Sequence, residues 1–259
     1  MMKAKVMSVA ILLALLTGCI GEDIPPEKEA SEWEIQAKTH EEASEWEKAA
    51  EKWEKTAEIW EKGGNTEKAN AALEKAATNW KAAATNWEAK AETHEEAFEI
   101  SEAWKAWRKA TENWEKAAEV WEKIAKSHED TGEIENENAA LEKAAANWEA
   151  KAHAYRMSFE WGKSAETFGK AAEAWEKIAE NWEAAGERIK AESALFRAAT
   201  LYGSKAIQHE TNSEWEKAAE AWEEAAEIYE TVDLGSMAEY CREQAEAARK
   251  GEKVIRPHT

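Results

Sequence analysis

Apolar residues recur every three or four positions along most of this chain, and the largest of them recur every seven. Trp46, Trp53 and Trp60 form one such series, Trp80 and Trp87 a second, and Trp107, Trp114 and Trp121 a third. Alanines fill the intervening turns, as at Ala49-Ala50 and Ala117-Ala118. This is the period of amphipathic helices with one buried stripe. Large and small residues alternating along the stripe let facing helices interdigitate closely. Each buried Trp covers a large apolar area, but its indole N–H then needs an acceptor, which neighbouring Glu side chains or free helix-end carbonyls can supply. Nothing in the pattern reads as a strand. The fold class expected is all-α, with antiparallel helix pairs stacked as an α-solenoid of long helices.

Caps and breakers set the expected boundaries. Thr39-His40-Glu41-Glu42 and Thr93-His94-Glu95-Glu96 have the form of capping boxes, with Thr at the N-cap and Glu three residues on. Ser31 with Glu34 and Ser213 with Glu216 repeat the form. Breaks are expected at Gly63-Gly64-Asn65, Asp130-Thr131-Gly132, Gly186 and Asp233-Leu234-Gly235. The result is a short leading helix near 27–38 followed by four pairs: 40–62 with 66–92, 94–128 with 133–156, 159–184 with 187–208, and 213–231 with 236–250. Gly162, Gly169 and Gly203 fall inside expected helices and weaken the pattern there.

A phrase of the form W-E-K-[TA]-A-E-x-W-E recurs at Trp53–Glu61, Trp114–Glu122 and Trp175–Glu183, and again at Trp222–Glu230 with Tyr229 in the second aromatic place. Recurrence over tens of residues marks stacked units, each needing its neighbour to bury its stripe. Trp53, Ala57, Trp60, Gly64, Ala69, Leu73 and Ala76 resemble the spaced positions of a tetratricopeptide repeat, as do Trp175, Ala179, Trp182, Gly186, Ala191, Leu195 and Ala198. The second unit departs from it, with seven extra residues between Trp121 and Gly132 and Glu137 where a small residue belongs. Seven residues are nearly two turns, so the insertion lengthens the helix and keeps its buried face within ~20°. The fourth has Asp233 for the glycine and Arg242 for the large apolar residue, as a terminal cap would. Trp60, Trp121 and Trp182 are 61 residues apart, longer than the family's usual repeat and closer to the long helical layers of soluble NSF attachment proteins.

Composition narrows the setting. Lys3 and Lys5, the apolar run Val6 to Leu16 and then Leu16-Thr17-Gly18-Cys19 resemble a prokaryotic lipoprotein signal, which implies cleavage before Cys19 and lipid on its thiol. The expected organisation is a signal peptide at 1–18, a tether at 19–30, a repeat domain at 31–250 and a tail at 251–259, with the chain outside the cytoplasmic membrane and anchored to it. Cys241 is the one remaining cysteine, so no internal disulfide framework exists. Net charge is −20, and only Asp23, Asp130 and Asp233 among the 54 acids are not Glu. That balance excludes nucleic acid and anionic lipid surfaces as partners. High Glu with little Asp also favours helix, because Asp competes with the helix backbone.

In tetratricopeptide proteins the first helix of each pair lines a concave groove that takes partner peptides. The resemblance places sixteen residues there, all Glu: Glu51, Glu54, Glu58 and Glu61; Glu112, Glu115, Glu119 and Glu122; Glu173, Glu176, Glu180 and Glu183; Glu220, Glu223, Glu227 and Glu230. Lys55, Lys116 and Lys177 sit beside three sets, and Glu224 takes that place in the fourth. Stacked acidic stripes would focus a negative potential on a basic protein segment; the same stripes also read as a solvated face. No catalytic motif, cofactor loop or metal-ligand spacing stands out, and His40 and His94 read as structural. The leading expectation is a membrane-anchored scaffold for a basic partner, not an enzyme. A coiled-coil-like spacer or self-assembling envelope protein, self-association included, is the first alternative, and a lipoprotein for a small cationic ligand is the second. Solution scattering separates the first two: a curved superhelix is expected for the solenoid, and a straight rod would favour the spacer.

Overall fold

The computed structural model describes residues 25–252, so the Cys19 site, the signal segment and most of the tail lie outside the described residues. Within them the chain runs α1 (Pro26–Glu42), α2 (Trp46–Lys62), α3 (Thr66–Glu96), α4 (Ile100–Thr131), α5 (Ile134–Met157), α6 (Trp161–Ala184), α7 (Arg188–Thr211), α8 (Trp215–Thr231) and α9 (Gly235–Arg249), with no strand among the described residues. Close packing joins helices consecutive in the chain. Side-chain bridges then tie alternate helices: Lys123 to Glu61 (2.7 Å) and Lys177 to Glu129 (3.4 Å) link α4 to α2 and α6 to α4. The result is an all-α solenoid of two layers, α2, α4, α6 and α8 against α1, α3, α5, α7 and α9.

All the interhelix turns share one backbone design. A single left-handed residue occupies each: Ser44, Gly64, Phe98, Gly132, Phe159, Gly186, Ser213 and Asp233. The next amide donates to the carbonyl five residues back, as Glu45 N to His40 O (2.8 Å) and Asn65 N to Trp60 O (2.8 Å). This satisfies carbonyls that the helix end leaves free.

The turns also correct the expected caps. Thr39 and Thr93 lie in the last turns of α1 and α3, where their hydroxyls donate to Ile35 O and Ala89 O, each at 2.8 Å. The breaks come after them, at Ser44 and Phe98, where no glycine advertised a left-handed residue. Ser31 is internal to α1, and Ser213 is itself the left-handed residue. α1 begins at Pro26, inside the segment 19–30 expected as tether, with proline at the first helical position where its missing N–H loses nothing.

Helix lengths step in near-heptads. α2 has 17 residues, α5, α6 and α7 have 24, α3 has 31 and α4 has 32. Each added heptad preserves the buried face. The α3–α4 hairpin therefore overhangs its neighbours, α4 exceeding α5 by eight residues, about 12 Å at 1.5 Å per residue.

Trp and Ala supply the core as expected. Trp53, Trp80 and Trp148 are nearly inaccessible, and alanines beside them, such as Ala50, Ala76 and Ala144, are fully so. Gly203 within α7 has a packing reason: a Cβ there would stand 3.2 Å from Trp222 Cζ3 of α8. Cys241 is buried, and burial pushes its thiol up to about 11, which suits a small core hydrophobe.

Thr39→Ala and Thr93→Ala discriminate the two readings of these residues. Loss of a true N-cap costs ~1 kcal/mol; from mid-turn positions the change expected in urea unfolding is within ~0.5 kcal/mol. Gly132→Ala should instead lose ~1 kcal/mol, because a Cβ is forced into the left-handed region.

Candidate functional site

The glutamates of the repeat phrase divide into those that hold the helices together and those that face outward. The division follows distance from each left-handed turn residue. A Glu ten positions before it meets an aromatic sixteen after it: Glu54 with Trp80 (2.5 Å), Glu88 with Trp114 (2.8 Å), Glu122 with Trp148 (2.6 Å) and Glu176 with Tyr202 (2.8 Å). One heptad nearer the turn, Glu41 accepts from Trp53, Glu95 from Trp107 and Glu210 from Trp222. One heptad farther, Glu47 accepts from Trp87 and also from Asn113 across the layer. Glu149 stands at the equivalent place for Trp175, and its carboxyl is influenced by that indole, although the pair does not reach good hydrogen-bond geometry. In the last pair Arg249 replaces the aromatic and donates to Glu223 (2.6 Å).

Of the sixteen glutamates expected on the groove, Glu54, Glu122, Glu176 and Glu223 are therefore engaged inside the fold. Glu115 bonds Lys151, a buried lysine held at 2.6 Å. Burial lowers the Lys151 ammonium below its ordinary value, and Glu115 opposes that shift. Glu58 pairs with Lys55, Glu112 with Lys109, Glu61 with Lys123 and Glu230 with Arg242. Glu51, Glu119, Glu173, Glu180, Glu183, Glu220 and Glu227 are exposed.

Lysine rows that include Lys116 and Lys177, already noted beside the acidic sets, supply several of these partners. Lys109, Lys116 and Lys123 line α4 at heptad spacing, and Lys163, Lys170 and Lys177 line α6. Each row faces the preceding helix of its layer. Against burial, hydrogen bonds from Trp87 and Asn113, and after them Lys109 and Lys116, hold Glu47 below the ordinary carboxylate range. Lys116 also lies over the Trp80 ring at 3.8 Å. The groove between α2 and α4, about 500 Å³, has Glu51, Glu54 and Glu58 on one wall and Lys116, Glu119 and Lys123 on the other, over Leu73 and Trp80.

Counted from the turn residue as before, α8 keeps Lys217 in the place of Lys116 and Lys170, and has Glu224 in the place of Lys123 and Lys177. A glutamate thus replaces one lysine of the row between α6 and α8. Glu173, Glu176 and Glu224 gather around Tyr202, Glu180 lies near Glu176, and Lys205 bonds Glu224 at 2.8 Å. Burial first, then Glu173, Glu224 and Glu180, raise the Glu176 carboxyl, although its Tyr202 bond works the other way. The phenol of Tyr202 is pushed up strongly by burial and by these carboxylates.

Histidines follow the same turn frame. His40, His94, His128 and His209 each stand four before the left-handed residue, and Nδ1 meets the Glu one after it at 2.6–2.8 Å. His40 and His94 therefore clasp helix C-termini to the next helix, where first-turn places were expected. Hydrogen bonds from Asn212, Lys217 and His209 lower Glu214 to about 2. No group of three or more metal-ligating side chains assembles among the described residues.

A carboxyl raised by folding contributes stability that is complete below the unfolded carboxylate value and lost as pH climbs through the folded one. Glu176→Gln keeps an acceptor for Tyr202 and removes that loss. Its melting temperature relative to wild type should therefore rise between about pH 4 and pH 7, as followed by circular dichroism.

No protein-family model and no curated protein matches the chain. Among solved structures it is similar to a filament designated DHF58 at a TM-score of 0.48 and 18% identity, over 87% of this chain and 96% of that one. The de novo designed helical repeat protein DHR64 gives 0.43 and 23%, over 87% and 93%. The TPR2AB domain of yeast Sti1, in complex with pHSP90, gives 0.20 and 14%, over 86% and 99%. Scores of this size carry no argument about function.

Proposed function

We propose that this chain is a lipid-tethered helical-repeat scaffold that holds a basic protein segment in the groove between α6 and α8. One observation carries the reading: the place nine residues before the turn, filled by Lys55, Lys123 and Lys177 in α2, α4 and α6, is Glu224 in α8. Four carboxylates then share that groove with Lys205. Like charges this close raise the local potential and favour a cationic ligand. The tether rests on Lys3, Lys5, the apolar run and Leu16-Thr17-Gly18-Cys19. No described helix is long and apolar enough to cross a membrane.

The test restores the missing lysine. An oligolysine peptide should bind the wild-type chain at low salt, and affinity should fall steeply as ionic strength shortens the screening length towards ~8 Å. Glu224→Lys should lower affinity at least about tenfold, or ~1.4 kcal/mol. Glu51→Gln, in the first groove, where Lys116 and Lys123 stand opposite, should change it little. Equal loss from both variants, or binding indifferent to salt, would refute the groove assignment.

A further inference from the structure

Two of the eight turns carry a residue that neither burial nor backbone preference explains. Phe98 is 88% exposed at φ 60°, and Phe159 is 65% exposed at φ 59°. A bulky residue in the left-handed region is an outlier, and glycine fills the equivalent place at 64, 132 and 186. Both turns lie at the same end of the solenoid, on successive hairpins of the two layers. Phe98 caps the overhanging α3–α4 hairpin, and Phe159 lies on the step beneath it.

Tip and step are both apolar at the surface. Ile100 and Trp104 are exposed beside the tip, each 51% accessible. Met157 is exposed on the step, where Phe159 packs edge-on to Trp161. Arg108 lies near Lys163 of the step. Trp104 is one helical turn earlier on the same face of α4, so it stands level with the α5–α6 turn and joins tip to step.

Their charges are opposite. Glu92, Glu96, Glu99 and Glu102 are exposed around the tip, with Lys105 bonded to Glu102. The step carries Arg108, Arg156 and Lys163, of which Lys163 pairs with Glu160. An anionic bilayer would be repelled by the tip, and two tips would repel one another. The tip is also stiff: Phe98 N donates to Glu95 O, Glu99 N to His94 O, and Trp107 to Glu95. A preordered apolar knob loses little freedom on docking.

We propose that the tip docks on a second copy of this chain, in a two-fold pairing of the overhanging hairpins. Each tip rests on the other copy's step, Phe98 and Ile100 against Met157 and Phe159, with the two Trp104 side chains flanking the symmetry axis. Such a contact is self-complementary by construction, as a closed dimer requires. The tips and the antiparallel hairpin flanks together supply the area, about 800 Å² per copy in a standard interface.

The experiment is sedimentation velocity on the chain from residue 19 onward carrying Cys19→Ser. A dimer is expected at about 50 µM protein, and a monomer at that concentration overturns the proposal. Phe98→Gly separates docking from folding. Glycine relieves the left-handed backbone, so this variant should melt at a higher temperature than wild type while its dimer weakens at least tenfold. A retained dimer in Phe98→Gly overturns the proposal. Glu99→Lys with Glu102→Lys should also dissociate the dimer, and adding Arg156→Glu should restore it; failure to restore overturns the tip-on-step pairing.

Discussion

The hydrogen bond from a buried indole to a glutamate on the neighbouring helix is the interaction on which the rest of this structure depends. Trp is a large core residue with one donor that must be satisfied, and an unsatisfied buried donor costs ~1–3 kcal/mol. Here the acceptor is a carboxylate whose charge stays near solvent, so the bond is charge-assisted and desolvation is partial. Because the bond joins two helices at fixed distances from their shared turn, it sets helix register as well as satisfying the ring. Glu54 with Trp80 and Glu88 with Trp114 hold different helix pairs in the same relation.

That register explains which acidic residues are left for another molecule. Where Leu73 and Leu141 occupy the place that Trp takes elsewhere, the glutamates that would have served them, Glu61 and Glu129, turn to Lys123 and Lys177 of the next helix in the layer. Each outer helix consequently offers carboxylates to its successor and ammonium groups to its predecessor. The acidic stripes are part of a directional pairing along one layer, and α8 answers with Glu224 where its predecessors offer lysine. A net charge of −20 is thus unevenly available along the solenoid.

Lengthening by heptads serves the same design. Adding seven residues to α3 and again to α4 leaves every buried position facing inward, so a hairpin can be extended without repacking its base. What such an extension exposes is decided by its own residues. At 98 and 159 those residues are phenylalanines held outward on left-handed turns, where a polar residue or glycine would have been easier to accommodate.

Several features were legible in the residues alone. The all-α class, the Trp and Ala core, the pairing of helices and the glycine-marked turns at 64, 132 and 186 all follow from local periodicity and from backbone freedom, which are properties of short segments. The extra heptad before Gly132 was legible for the same reason. The turns at 44 and 98 were not, because Thr39 and Thr93 spell an N-cap by composition while the real break lies beyond them, at residues with no intrinsic left-handed preference. Nor could the sequence apportion its sixteen groove glutamates. One helix face looks uniformly acidic when read by itself; whether Glu176 meets a phenol, Glu115 a buried ammonium or Glu119 open solvent depends on what the next two helices bring against it. Helical spacing is a local property, whereas pairing across 26, 48 or 62 positions exists only once the helices are packed.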